Sequence, residues 1–266
     1  MKFAGIIAEY DPFHNGHAWQ LAQAKALGAE RVAVAMSCSL VQRGALPLLP
    51  EAVRTRSALT CGADLVFALP APCACAGAEA FARAGVALLA AAGCDGLVFG
   101  AETPDAALLM EAAELLDSGS YRAALKAQLA GGARSFAAAR QAAAAQLASD
   151  ERVAALLDKP NNNLAVEYCR AIRSLAPRME AYPLPRQGAN HGEALHSAHG
   201  QFASASALRK LWAEGGADAV APYVPEAVFP LYQEAYAAGQ YTDFSAAGRC
   251  ELALLRSACR GKAPFA

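Results

Sequence analysis

The feature that most constrains the fold of this chain is a set of short apolar runs that alternate with segments of helical periodicity. The runs are rich in Val, Ile, Leu and Phe and show no polar alternation, which is typical of strands buried on both faces. Strands that alternate with helices predict a parallel sheet covered by helices on both faces, and therefore an α/β fold. The expected strands are residues 3–9, 31–37, 64–70 and 95–102, and the expected helices are about 17–27, 50–61 and 77–92.

The second half of the chain has a different pattern. Residues 104–158 have high helix propensity with no strand candidate, and they predict a helical insertion. A helix opening at 159–172, a late strand within 178–185 and a capped helix at 202–212 follow. We expect a main domain over 1–214 and a truncated, helical C-terminal region over 215–266, which ends without an obvious closing element.

Composition limits the class of protein. The chain has 266 residues, a hydrophobic content of 55% and a formal net charge of −1, so it can bury a sizeable core and has no general basicity for nucleic acid. None of its eight cysteines forms a CxxC pair, which favours reduced, buried thiols. The first apolar run is too short to span a bilayer. We therefore expect a cytoplasmic protein without membrane contact, and no feature indicates its oligomeric state.

Two of the five histidines follow the first strand, as His14-Asn15-Gly16-His17. In a parallel sheet this loop lies at the carboxyl edge, where ligands bind. We expect His17 at the start of the next helix, whose free amides favour a phosphate, and Gly16 lets backbone approach a ligand. Two imidazoles here can donate hydrogen bonds to phosphoryl oxygens, so the turn predicts a phosphate site, and a turn with incidental histidines is the alternative.

This turn resembles the HxGH signature of the nucleotidyltransferase superfamily, which is shared with class I aminoacyl-tRNA synthetases. A second stretch, SASALRK at 204–210, is similar to the superfamily's ISSTxIR motif, with Ser204, Ser206 and Arg209 at matching positions. Serine hydroxyls and amides at a helix start can hold phosphates, and Arg209 adds positive charge. The resemblance implies a Rossmann-like parallel sheet of the HxGH nucleotidyltransferase type. An ordinary serine N-cap is the alternative for this second motif.

A narrower resemblance runs in order along residues 1 to about 212. AEYDPFHNGH is similar to VEYNPFHNGH of the tRNA(Met) cytidine acetate ligases, and MSCSLVQRG, GADLVFALP, GCDGLVFGAE, PNNNLAVEY and RQGANH resemble further strings of that family. The family implies activation of acetate by ATP to acetyl-adenylate, with loss of pyrophosphate. The acetyl group then passes to N4 of the wobble cytidine of elongator tRNA(Met). ATP, acetate and tRNA(Met) are thus the implied partners, and Mg²⁺ is expected to arrive with ATP.

The resemblance also implies which residues form the site. His14 and His17 would be catalytic. Gly100 would lie against adenine or ribose, with an ordinary strand-end turn as the alternative. Asn162 or its neighbour Asn161 would contact ribose or base, and a helix cap is the alternative. Arg186 would reach phosphates, and a lone surface arginine is its alternative. The implied ATP-binding residues are Ile7, Ala8, Glu9, Tyr10, Asp11, Pro12, Phe13, His14, Asn15, Gly16, His17, Ala18, Trp19, Gln20, Gly100, Asn162, Arg186, Ser206 and Arg209.

Other residues have a weaker case. Arg43, in the loop after the second strand, is a candidate phosphate or tRNA contact, and a solvated loop arginine is its alternative. Arg54 is a weak candidate for tRNA, although a solvated helix face is favoured. His191, Glu193, His196 and His199 lack the fixed spacing of metal ligands, so we predict no protein metal site.

The sequence also departs from the ligase family. Asp11 replaces an asparagine and adds negative charge beside the expected phosphates, while family members continue well beyond residue 266. Two other functions therefore stay open. One is a nucleotidyltransferase that acts on a small phosphorylated metabolite, and the other is a relative that binds nucleotide or RNA without catalysis.

Overall fold

A computed structural model describes residues 1–42, 44–132, 135–186, 194–197 and 200–258. Its centre is a parallel sheet with strand order β3-β2-β1-β4-β5, as the α/β prediction requires. The expected strands are confirmed to within two residues at each end, because each is a short apolar run bounded by turn residues. Their bounds are Phe3–Ala8 (β1), Arg31–Ser37 (β2), Leu65–Leu69 (β3), Gly96–Ala101 (β4) and Glu180–Pro185 (β5).

Helices connect the strands across the faces of the sheet. The strand order reverses at β1, which has β2 on one side and β4 on the other, and such a reversal opens a crevice at the carboxyl edge. The expected helices are present, but the first begins at Asn15 rather than near His17. The bounds are Asn15–Ala26 (α1), Glu51–Thr60 (α2), Ala71–Ala74 (α3) and Ala78–Ala91 (α4).

The predicted insertion between β4 and the last strand is helical. Polar residues start its helices, since the side chains of Asp105, Ser118, Ser135 and Asp150 each accept a hydrogen bond from a backbone amide of the first turn. A longer helix then leads into β5. The bounds are Ala106–Asp117 (α5), Gly119–Ala130 (α6), Phe136–Leu147 (α7), Glu151–Leu156 (α8) and Pro160–Leu175 (α9).

Two hydrophobic cores lie on opposite faces of the sheet. One joins α4, α9 and the insertion, and includes Leu89, Phe99 and Ile172. The other joins α1 to the C-terminal helices, and includes Ile6 and Tyr232. Residues beyond 214 therefore help to cover the sheet that carries the histidine turn.

An antiparallel hairpin that the sequence did not predict precedes the last helices. It consists of Ala194–Ser197 (β6) and Gly200–Ala203 (β7), and is followed by Ala205–Val220 (α10), a 3-10 turn at Ala221–Tyr223, Phe229–Ala237 (α11) and Phe244–Ala258 (α12). Helix α10 is kinked at Gly216, which has a φ of 67°. The predicted domain boundary at 214/215 falls inside α10 and stays a prediction. Among the described helices, none is both long and apolar enough to cross a bilayer.

Candidate active site

The two histidines start helix α1 at the carboxyl edge of β1. His14 is the N-cap, and its Nδ1 accepts a hydrogen bond from the Gly16 amide (3.1 Å). His17 occupies the third position of the helix, and its Nδ1 lies 3.3 Å from the His14 amide. The two imidazoles thus form a reciprocal capping box, and their rings stack with centroids 3.7 Å apart.

This capping arrangement fixes the tautomer of both rings. A neutral imidazole whose Nδ1 accepts an N–H must carry its proton on Nε2. Each ring therefore presents one Nε2–H donor for a ligand. His14 and His17 are held in one orientation by the backbone of the turn that they start, which is the preorganisation that a phosphate site needs.

The surroundings of the two rings keep them uncharged. Tyr10 and Phe13 pack against His17, with ring centroids 4.8 and 5.6 Å away. Desolvation lowers the pKa of His14 to about 4, and the positive charge of Arg186 contributes. Desolvation, then His14 and Arg186, hold the pKa of His17 well below its usual value. Both imidazoles are therefore neutral hydrogen-bond donors at neutral pH.

The turn that carries the histidines is braced by distant parts of the chain. The Tyr232 hydroxyl donates to the Phe13 carbonyl (2.7 Å), and the Asn15 side chain donates to the Pro222 carbonyl (3.2 Å). Gln20 donates from Nε2 to the carbonyl of Val98 in β4 (3.1 Å). Gln20 thus ties α1 to the neighbouring strand, a structural contact that the sequence did not reveal.

The second motif is joined to the first by an ion pair. Arg209 Nη1 donates to the backbone carbonyl of Asp11 (2.7 Å) and to its carboxylate (3.2 Å). Ser204 caps α10 through the Ala207 amide, and the Ser206 hydroxyl lies 3.0 Å from that of Ser204. The structure therefore brings the two predicted phosphate motifs together.

Asp11 is turned into the protein rather than toward the crevice. It is 4% exposed, and its Oδ1 accepts the Leu48 amide (2.5 Å). Burial raises the pKa of the Asp11 carboxyl, while the Leu48 amide, Arg209 and Arg54 oppose that shift. Because the carboxylate is paired with Arg209, the added negative charge is compensated inside the fold.

Gly100 and Arg186 lie side by side at the ends of β4 and β5. Gly100 is exposed, and a Cβ built on it would meet Arg186 Cγ at 3.5 Å. The Arg186 amide donates to the Ala101 carbonyl (3.3 Å). Arg186 also lowers the pKa of both histidines, so its charge acts at the predicted phosphate position.

The remaining members of the predicted segment 7–20 support the turn. Ile7 faces α4, where a Cβ on Gly85 would lie 2.5 Å from its Cδ1. Ala8, Ala18 and Trp19 pack against the second core, and Pro12 is buried. These side chains therefore support the turn by packing.

The expected ATP contact from Asn162 is not supported. Its side chain is 1% exposed, accepts the Thr103 amide (2.9 Å) and donates to the Thr103 hydroxyl (3.2 Å). Asn161 donates from its side chain to Glu102 (2.6 Å). The carboxylate of Glu102 also accepts the amides of Asn161 and Asn162, so it caps α9. Sequence reasoning missed Glu102, although its place directly after β4 was a usable signal.

The expected tRNA contact from Arg54 is wrong, and so is the solvated face that was its alternative. Arg54 is fully buried and donates to the carbonyls of Glu9 (2.7 Å), Ser37 (2.7 Å) and Leu49 (3.0 Å), and to that of Cys38. Burial lowers its pKa, and the charge of Asp11 opposes this. Arg54 instead links the carboxyl ends of β1 and β2 by donating hydrogen bonds to their carbonyls.

Other predicted residues fall outside the described part of the chain. Arg43, His191, Glu193 and His199 are among them, and so is the side chain of His196. Within the described residues, no group of three His, Cys, Asp or Glu side chains is arranged to hold a metal ion.

A cleft of about 930 Å³ lies elsewhere, between α4, α6, α7 and α9, and sequence reasoning missed it. Two of its arginines pair with acids: Arg170 binds Asp117 (2.8 Å) and Glu167 (2.7 Å), and Arg140 also binds Glu167. Glu167 is only 3% exposed. This paired network joins the insertion to α9 and contains none of the histidine-turn residues.

Comparisons with known proteins agree with this geometry. The model of the HIGH Nucleotidyl Transferase family matches residues 1–258. A tRNA(Met) cytidine acetate ligase of Syntrophotalea carbinolica is 41% identical over 218 residues, 81% of this chain and 52% of that protein. Another from Caldanaerobacter subterraneus is 35% identical over 244 residues, 90% of this chain and 60% of that protein. The chain thus spans about half to three-fifths of the length of these relatives.

Solved structures give the same result. A crystal structure of Thermotoga maritima TmcAL bound with alpha-thio ATP has a TM-score of 0.81 at 30% identity, and covers 91% of this chain and 57% of its own. The apo form of the same protein has a TM-score of 0.83 at 31% identity, with coverages of 91% and 58%. With its HxGH turn, its parallel sheet and these matches, the chain belongs to the HIGH nucleotidyl transferase family.

Proposed function

We propose that this chain activates acetate with ATP, as acetyl-adenylate, and transfers the acetyl group to N4 of the wobble cytidine of elongator tRNA(Met) in the cytoplasm. The observation that carries the proposal is the stacked pair of neutral imidazoles at the start of α1. The similarity to tRNA(Met) cytidine acetate ligases and to TmcAL bound with alpha-thio ATP supports the choice of substrates.

The first step is a displacement at the α-phosphorus of ATP. The acetate oxygen forms a bond to phosphorus as the bond to pyrophosphate breaks, so negative charge builds on the phosphoryl oxygens. The Nε2–H groups of His14 and His17 are already oriented to donate to those oxygens, at no cost in reorganisation. Arg186 supplies positive charge from the end of β5, whereas Arg209 of α10 is paired with Asp11 and holds the backbone of the turn. The exposed backbone at Gly100 leaves room for the nucleoside.

The second step brings the wobble cytidine to the adenylate. An anticodon-loop base is easily splayed out of its stack, so N4 can approach the acetyl carbon. The N4–acetyl bond forms as AMP leaves. Mg²⁺, if it is used, would be held by the phosphates and water.

The test is an exchange of labelled pyrophosphate into ATP. We expect exchange that depends on acetate, followed by incorporation of labelled acetate into tRNA(Met) but not into tRNA(Met) whose wobble cytidine is replaced by uridine. Exchange stimulated by a phosphorylated metabolite instead of acetate would assign the chain to a different transferase. ATP binding without pyrophosphate release would contradict catalysis altogether.

A further inference from the structure

A small recess of about 170 Å³ adjoins the cleft between α4, α6, α7 and α9. Arg83 of α4 and Arg122 of α6 line both the recess and the cleft. The recess has room for about five waters, at roughly 30 Å³ each, and therefore for a phosphate group. Its described lining residues are distinct from those of the histidine turn, so the adenylation chemistry gives them no role.

The carboxylates of the cleft are paired with two of its four arginines. Arg170 binds Asp117 (2.8 Å) and Glu167 (2.7 Å). Glu79 lies 3.5 Å from the same guanidinium, and Arg140 pairs with Glu167. Three carboxylates therefore share two arginines, and the other two arginines bring the net charge of the lining to +1.

Those other two arginines, Arg83 and Arg122, make only neutral contacts in the described part of the chain. Arg83 Nη1 donates to the Ser174 hydroxyl (3.1 Å), and Arg122 Nη2 donates to the backbone carbonyl of Asp117 (2.7 Å). Both side chains are exposed, and a guanidinium carries five N–H donors. Two arginines beside one recess, each with donors left for a ligand, are suited to bind phosphate oxygens.

One wall of the cleft is basic, although the whole chain has a net charge of −1. Helices α6 and α7 carry Arg122, Lys126 and Arg140, and their sequences contain no Asp or Glu. Lys126 is exposed one turn after Arg122, on the same face of α6. A row of cations beyond the recess favours a ligand with several phosphates in succession over a single small anion.

The same wall has an exposed aromatic ring. Phe136, the first residue of α7, lines the cleft and is 61% exposed. Unpaired bases stack on aromatic side chains of this kind, while arginine and lysine hold the phosphates that link them. The bases of a duplex are already stacked on one another, so this combination favours an unpaired stretch of RNA.

The cleft lies near the crevice that contains the histidine turn. Helix α9 extends from one to the other, since Asn162 binds Thr103 just after β4 and Arg170 lines the cleft. The eight residues between these two positions span roughly 12 Å at 1.5 Å per residue. That distance is about four nucleotides of a stacked strand, at roughly 3.4 Å each.

We propose that the cleft binds an unpaired stretch of the tRNA that carries the target cytidine. Arg83 and Arg122 bind its backbone phosphates, and Phe136 stacks on one of its bases. This inference rests on the proposed function. It gives the cleft a role in holding RNA while the wobble cytidine reaches the adenylate, and no role in forming the adenylate.

The test is filter binding of labelled tRNA(Met) in the absence of ATP and acetate. For the double variant Arg83→Gln/Arg122→Gln we expect a Kd about 25-fold higher at 0.1 M salt, since each lost single-strand phosphate contact removes a factor of about five. The plot of log K against log salt concentration should become shallower by about 1.4. Phe136→Ala should raise the Kd about tenfold without changing this slope, and Phe136→Trp should keep the wild-type affinity.

The matched control is Arg31→Gln/Arg152→Gln, which removes the same charge outside the cleft. Arg31 is exposed at the start of β2, and Arg152 is an exposed residue of α8 that pairs with Asp150. Affinity for tRNA should stay within about twofold of the wild type in this variant. Acetate-dependent pyrophosphate exchange should be unchanged in every variant, because none of these residues belongs to the histidine turn.

The assignment would be overturned by unchanged affinity and slope in Arg83→Gln/Arg122→Gln, or by an equal loss in the control, which would mean general attraction of charge. A wild-type chain that binds no tRNA would also overturn it. A loss of ATP affinity instead of tRNA affinity would assign the cleft to a free nucleotide. If tRNA binding depends on the cleft but the wild type shows no acetate-dependent exchange, the proposed function fails while the RNA site stands.

Discussion

Replacing the buried Arg54 by leucine should destabilise the fold at the carboxyl edge of the sheet. The guanidinium donates four hydrogen bonds, to the carbonyls of Leu49, Glu9, Ser37 and Cys38. Leucine fills much of the same volume but offers no donor. The substitution therefore removes the hydrogen-bond donor of these four carbonyls at the point where β1 and β2 end.

The size of the effect follows from two opposing contributions. Each hydrogen bond from a charged donor contributes about 1.5–3 kcal/mol, so four of them contribute roughly 6–12 kcal/mol. Burying the guanidinium itself costs several kcal/mol, which the variant recovers. The net loss should be about 4 kcal/mol, within the range for removal of one partner from a buried charged network. Domains are typically stable by about 5–15 kcal/mol, so this is a large fraction of the total.

Urea denaturation followed by circular dichroism measures this loss. With a slope of about 3 kcal/mol/M, the midpoint should fall by about 1.3 M. Arg56→Leu is the matched control on the same helix. Arg56 has 58% of its side chain exposed and lies 3.7 Å from Glu234, so its loss should change stability by less than about 0.5 kcal/mol. A midpoint that stays unchanged in Arg54→Leu, together with weaker tRNA binding, would refute the structural role.

Three further changes test the site. His14→Ala should lower acetate-dependent exchange by about 100-fold or more, because one preoriented donor is lost; retained exchange would remove His14 from catalysis. Gly100→Leu should change the free energy of unfolding by less than about 0.5 kcal/mol, since Gly100 is exposed and a Cβ there would meet Arg186 Cγ at an ordinary contact distance of 3.5 Å. The variant should weaken ATP binding in calorimetry, and unchanged affinity would place the nucleoside elsewhere. The pKa of His14 is about 4 in the fold, against 6.5 for a free histidine, so the unfolded chain takes up the proton first. The free energy of unfolding should therefore fall by about 2 kcal/mol between pH 6.5 and pH 4, after allowance for the partly exposed ring. A His14→Asn variant that loses as much stability over the same range would contradict this.

The sheet and the histidine turn could be predicted because their signals are local. The strands are apolar runs bounded by turn residues, and His14-Asn15-Gly16-His17 directly follows the first of them. The hairpin β6–β7 escaped prediction because its strands are only four residues long and carry no clear alternation. Short strands of this kind are defined by pairing, which the sequence does not display.

The roles of single polar residues were harder to predict, because burial depends on the whole fold. Arg54 looks like a solvated helix residue in the sequence, yet four carbonyls from β1, β2 and their loops surround it. Asn162 has the chemistry of a ribose contact, but Thr103 satisfies its amide. Asp11 adds a charge that is paired with Arg209, almost two hundred residues away in the sequence.

The brace between Tyr232 and Phe13 has a consequence for synthesis of the protein on the ribosome. Strands β1 to β5 all precede residue 186, so they can begin to pair while the C-terminal helices that cover one face are still within the ribosome. The turn after β1 receives its hydrogen bonds from Pro222 and Tyr232 only later. A nascent chain should therefore acquire its sheet before it can hold a nucleotide, and affinity for ATP should appear abruptly once α11 has emerged.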